Sequence, residues 1–106
     1  KKTKRANRNS QMATVDSFVS IKSTDMPDDQ LRDAILAAAQ ALEDKRDEEL
    51  WENKVAKEIK KVFDNNHLPT WHCIVGKNFG SYFTHEDKNF VYFTIDDICI
   101  LLWRSN

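Results

Sequence analysis

Two runs near the C-terminus constrain this chain most. FVYFTI (90–95) and ICILLW (98–103) are rich in β-branched and aromatic residues, and only Asp96-Asp97 stands between them. That composition favours strands, and a two-residue connection joins antiparallel neighbours. A strand covered on one face and wet on the other should alternate apolar with polar residues. ICILLW hardly alternates, and FVYFTI does so only weakly. Both faces of their sheet therefore need a cover.

The rest of the chain supplies one cover. Residues 17–23, SFVSIKS, set Phe18, Val19 and Ile21 among polar neighbours and read as a short strand. Asp25, as a capping acid, stands before Met26-Pro27-Asp28-Asp29, a helix-start signal. LRDAILAAAQALE follows, with Leu31, Ile35, Ala38 and Leu42 at helical spacing, and predicts a helix over about 27–44. Beyond the polar joint DKRDEE (44–49), a second amphipathic helix places Trp51, Val55, Ile59, Val62 and Phe63 on one stripe. It is expected to end near Asn65-Asn66, where asparagine tolerates a left-handed turn, and Pro69 bars its continuation.

From Thr70 the period changes. WHCIV (71–75) and SYFTH (81–85) join the two later runs as strands, and the short connections between them predict a meander. The expected fold class is α+β, with two helices packed on a five-stranded antiparallel sheet. Two helices cover one face only, and no residues remain for the other. A second copy, packed sheet against sheet, is the simplest cover, so the pattern predicts a dimer.

A chain of 106 residues is one domain in size. Its first ten residues, KKTKRANRNS, hold five of the 16 basic side chains and no acid, which leaves 11 basic against 17 acidic in the remainder. Residues 1–16 have little to bury and are expected to form a disordered basic extension ahead of a folded domain at 17–106. A basic arm suits nucleic acid, an acidic filament surface or an import receptor, although a solvated extension is the simpler reading. The acidic body argues against a nucleic-acid-binding domain. No apolar run approaches the length of a membrane span, and Cys73 and Cys99 lack the count and spacing of a disulfide framework. A reduced, cytosolic protein is expected.

The residues that suggest chemistry do not converge. His67, His72, His85, Cys73 and Cys99 offer zinc-ligand types but no paired spacing, and neighbours His72 and Cys73 should point to opposite faces of a strand. A thiol nucleophile at Cys73 would need His85 to reach it from another strand; Cys73 reads more simply as a small buried hydrophobe beside Trp71 and Val75, and Cys99 as core. Asp96-Asp97 reads as a hairpin turn. Gly76 and Gly80 flank KNF without the helix a phosphate loop requires. No catalytic residue, metal or cofactor is expected.

PTWHCIVGKNFGSYFTHE (69–86), followed by KNFVYFTIDDICILLWRSN, closely resembles the small cytoplasmic dynein light chain family, a homodimeric hub. DMPDDQLRDAILAAAQALE resembles the family's first helix and VAKEIKKVFDNNHLPTWHC its second, so the likeness runs from about Phe18 to Ser105. It implies a strand-swapped dimer, in which the strand around Gly80–His85 pairs with the partner's sheet. The implied interface comprises His72, near its symmetry mate, with Ile74, Gly76, Lys77, Ser81, Tyr82 and Thr84. The implied activity is non-catalytic: a short segment of a dynein intermediate chain, or of another client, adds as a β-strand. The groove for it would include Phe79, Gly80, Ser81, Tyr82, Phe83, Thr84, His85, Phe90 and Tyr92. Two grooves on one dimer would hold two client chains together.

The chain departs from the family in places. The joint DKRDEELWEN is about four residues longer, close to one helical turn. Where the family grips a ligand glutamine with Glu-Lys, this chain has Glu52-Asn53. Thr94 replaces an aromatic, Asp96-Asp97 replaces Gly-Gln, and Trp103 replaces Phe. Such divergence suits a specialised paralogue, in the cytoplasm and cytoskeleton or fixed in a ciliary or flagellar dynein arm. Narrower client choice follows, with either a homodimer or a heterodimer with another light chain.

Overall fold

The computed structural model describes residues 18–77 and 89–105. Its most apolar strand is also its most central. β4 (Ile98–Arg104) is flanked by β3 (Phe90–Ile95) on one side and β2 (Trp71–Lys77) on the other, and β1 (Val19–Thr24) lies outside β3. All three pairings are antiparallel. A central strand must be buried on both faces and bonded along both edges, so a run without alternation suits that place. Between β1 and β2 the chain makes α1 (Asp28–Lys45) and α2 (Trp51–Asn66).

One face of this sheet carries the core. Val91, Phe93 and Ile95 from β3, Ile98, Ile100 and Leu102 from β4, and Trp71 from β2 pack with Ala34, Ala38, Ala41 and Leu42 of α1 and Val55, Ile59 and Phe63 of α2. The stripe predicted on α2 is therefore the one that packs. On α1 the fully buried positions are alanines, whose small side chains let the helix approach closely, while Leu31 and Ile35 only flank the core.

The fold differs from expectation in three respects. Among the described strands the pairing is not a meander: β2 bonds to β4, joining Trp71 to Arg104 and Lys77 to Ile98, and β3–β4 is the one hairpin. One flank of β4 is thus filled by its hairpin neighbour β3 and the other by β2, a strand distant in sequence, which connection length alone does not reveal. Four strands are described where five were expected, because the fifth, at 81–85, lies outside the described residues, as does the basic extension. Asp25 does not cap α1. Pro27 holds the N-cap position without a side-chain bond, Thr24 Oγ1 accepts from the Met26 N–H at 3.0 Å, and Asp25 Oδ1 accepts from the Phe90 N–H at 3.4 Å. The acid is spent on fastening the helix entry to β3.

Nor does α2 end in a left-handed asparagine. His67 follows it in extended conformation, with its N–H donated to the Phe63 carbonyl at 2.9 Å. The left-handed positions among the described non-glycine residues are Leu50, at φ 56°, and Asp96, at φ 57°. Asp96 is the hairpin residue anticipated from sequence. Leu50 begins α2 and is 67% exposed, so its side chain gains little from the position it strains to occupy. Leu50→Gly is expected to raise stability by about 1 kcal/mol in urea denaturation, because glycine removes the left-handed penalty. In the same assay, Ile100→Ala should cost about 2–5 kcal/mol by opening a cavity in a fully buried site.

Candidate functional site

Strand alternation sorts β2 between two environments. Trp71, Cys73 and Val75 turn toward the helices, where Trp71 is fully buried and the other two pack against the core. His72, Ile74 and Gly76 turn to the opposite, outer face. The register lines them up with residues of β4 and β3 in three rows: His72, Trp103, Phe90; Ile74, Leu101, Tyr92; and Gly76, Cys99, Thr94. This outer face is largely apolar and no helix of the described chain packs on it. Ile74 is 46% exposed. Among the described strands β2 is also at the edge, with one side bonded to β4.

Local bonds hold the β2 edge in place. Asp64, in the last turn of α2, accepts from the Trp71 N–H at 2.8 Å and pairs with Lys60. Arg104 Nε donates to the carbonyls of Leu68 and Pro69 at 2.9 and 3.1 Å, and Ser105 N–H to the Thr70 carbonyl at 2.9 Å. The turn into β2 is therefore clamped from both ends. On the outer face His72 Nε2 lies 2.8 Å from Ser105 Oγ, and its ring is 5.4 Å from that of Trp103. Lys77, exposed at the strand's end, approaches Asp97 of the β3–β4 turn at 3.9 Å.

Of the residues named from sequence, His72, Ile74 and Gly76 come together on one face of β2, and Lys77 ends that strand. Phe90 and Tyr92 lie on the same outer face; Phe90 is buried and Tyr92 half-buried. Glu52 and Asn53 sit in the first turn of α2, the first partly buried and the second exposed. Phe79, Gly80, Ser81, Tyr82, Phe83, Thr84 and His85 lie outside the described residues.

Burial pushes the Cys73 thiol up to about 12, so it stays protonated near neutrality and is a poor nucleophile. Cys99 is buried as expected, but on the outer face and not beneath the helices. Burial, and then the bond with Cys99, raise the Tyr92 hydroxyl. Among the described residues no group of three or more His, Cys, Asp or Glu side chains is placed to hold a metal ion.

Sequence reasoning missed Asp64 and Arg104. Asp64 carried one usable signal, since an acid in the last turn of a helix opposes the helix dipole and calls for a tertiary partner. Its bonds to Lys60 and to the Trp71 N–H hold its carboxyl below the usual aspartate range. A carboxyl lowered on folding adds stability above its unfolded value and loses it as pH falls through the folded value. Asp64→Asn keeps an acceptor but no charge. The stability gap between wild type and Asp64→Asn should be open at pH 7 and close as pH drops below about 4, followed by urea denaturation across pH. In the same samples, alkylation of Cys73 by iodoacetamide at pH 8 should be much slower than that of a free thiol.

The family model described as dynein light chain type 1 matches residues 19–105. A dynein light chain of Schistosoma mansoni is 52% identical over 85 residues, covering 80% of this chain and 91% of that protein. The dynein light chain-like domain of the Fasciola hepatica calcium binding protein FhCaBP2 superposes with a TM-score of 0.70 in each of two crystal structures. One covers 84% of this chain and 93% of that domain at 17% identity; the other covers 83% and 91% at 18%. At such identity these two establish likeness of fold. The match over four strands and both helices, with the close relative, makes this chain a member of the dynein light chain family.

Proposed function

We propose that this chain works as a dimeric, non-catalytic light chain of a dynein motor complex. It captures short extended segments of a dynein intermediate chain, or of other clients, by β-strand addition. The reading rests most directly on the outer face and edge of β2. Ile74, 46% exposed, shares an apolar outer face with Leu101, Tyr92 and Cys99, and among the described residues that face has no helical cover and β2 has one bonded neighbour. A second copy would cover what that face leaves open, Ile74 above all, with His72, Ile74, Gly76, Lys77, Ser81, Tyr82 and Thr84 at the contact. A strand from residues 80–85 of the partner would continue the sheet beyond β2.

The client would then lie along that lent strand, among Phe79, Gly80, Ser81, Tyr82, Phe83, Thr84, His85, Phe90 and Tyr92. Main-chain bonds would supply affinity and alternate side-chain pockets selectivity. Glu52 and Asn53, at the start of α2, would offer one carboxylate and one amide where the family has Glu-Lys, so this pocket would select clients differently. Two such grooves would hold two client chains side by side, and the second capture would gain from effective concentration. This role belongs in the cytoplasm and on the cytoskeleton, and needs neither cofactor, membrane nor nucleic acid. The protonated thiol of Cys73, set among core residues, supports the non-catalytic reading. The calcium binding named for the Fasciola hepatica protein is not carried over.

Titration of the labelled protein with a dynein intermediate-chain peptide tests this. Amide shifts should move saturably in residues 79–85 and at Tyr92, with little change along the exposed side of α1. Saturable binding that left 79–85 untouched would contradict the groove.

A further inference from the structure

A polar recess lies where the first turn of α1, the end of α2 and the end of β4 meet. It is a cavity of about 520 Å³ whose wall includes Gln30, Asn66, His67, Trp71, Asn89 and Arg104. Two side-chain atoms of that wall are buried without a hydrogen-bond partner, Trp71 Nε1 and Gln30 Oε1. Trp71 as a whole is fully buried. Native proteins rarely leave such groups unpaired, and those that remain point to a missing partner. Here one is a donor and the other an acceptor.

The charge of the wall narrows the choice of partner. Arg104 is its one permanently charged residue among those described, none of the described lining residues is a carboxylate, and Asp33 reaches the wall only through His67. Its Nε is held by the Leu68 and Pro69 carbonyls, which fixes the plane of the guanidinium. His67 is already engaged: Nε2 lies 3.1 Å from Asp33 Oδ2, and the ring packs on Phe63 at 4.7 Å between centroids. A ligand carboxylate would accept from the Trp71 indole N–H and from Arg104. Gln30 Oε1 calls for an N–H close to that carboxylate. The end of a peptide chain carries both groups, and capture of terminal carboxylates is an established mode of recognition.

We propose that this cavity receives the free carboxylate end of a peptide chain. Both orphaned atoms are closed to solvent in the present conformation. Entry therefore requires the partly exposed Gln30 side chain to move to another rotamer, after which its amide meets the ligand N–H. The site is separate from the proposed client groove and does not depend on it.

The test uses the full chain and two probes, acetyl-Ala-Ala with a free carboxylate and the same dipeptide as its C-terminal amide. The readout is the Trp71 indole N–H resonance, assigned by its loss in Trp71→Phe. The acid should shift it saturably, and the amide should bind about tenfold or more weakly, as expected for loss of a charge-assisted bond. Arg104→Gln should weaken the acid similarly, and Gln30→Leu should weaken both probes while leaving the indole in place. No saturable shift with the acid, or equal binding of acid and amide, would overturn the proposal. Should Arg104→Gln fail to fold, the comparison of acid with amide on the wild-type chain decides alone.

Discussion

The fold depends on one strand that must be dry on both sides. β4 carries Ile98, Ile100 and Leu102 toward the helices and Cys99 and Leu101 the other way, and all five are buried. A strand of this composition is stable only in the middle of a sheet, and the chain puts β3 and β2 on its flanks. The helices then do what two amphipathic helices can do, which is to close one face. Burying a Val, Leu, Ile or Phe side chain is worth about 1.5–3 kcal/mol. The helical face accumulates most of that gain, through Phe93, Trp71, Phe63 and Ile59.

The outer face follows from the same constraint. Among the described residues the apolar row Ile74, Leu101 and Tyr92 runs to the edge strand β2, where Ile74 is left nearly half exposed. Soluble proteins protect or cover such edges, because exposed strand edges recruit other chains. In this dynein light chain the same property would supply the function proposed above. One β-strand would be exchanged to close the dimer, and another, from the client, would be added to it. The clamp formed by Asp64, Arg104 and Ser105 around the entry to β2 keeps the edge at a fixed register against β4.

Much of this was legible in the residues. The helices, the hairpin at Asp96-Asp97 and the inward face of Cys73 follow from local periodicity and turn chemistry, which act over a few positions. What periodicity could not give was pairing at a distance. That β2 lies beside β4 depends on the flank of a strand some 27 residues away, as Trp71 bonds opposite Arg104 with α-helical and strand segments already placed around them. Asp25 looked like a cap because its neighbours are helix-start residues, yet its carboxylate goes to Phe90, 65 positions on. Asn65-Asn66 invited a left-handed turn that the chain instead makes at Leu50, where no residue preference announces it. The groove residues at 79–85 were legible only through resemblance, since their pattern alone does not distinguish a strand kept from a strand lent.

The most direct test is the mass of the full chain in solution by sedimentation equilibrium at neutral pH. The account predicts a species of twice 12.4 kDa, with the outer face of the sheet closed by a second copy. A single species of 12.4 kDa at micromolar concentration would contradict it.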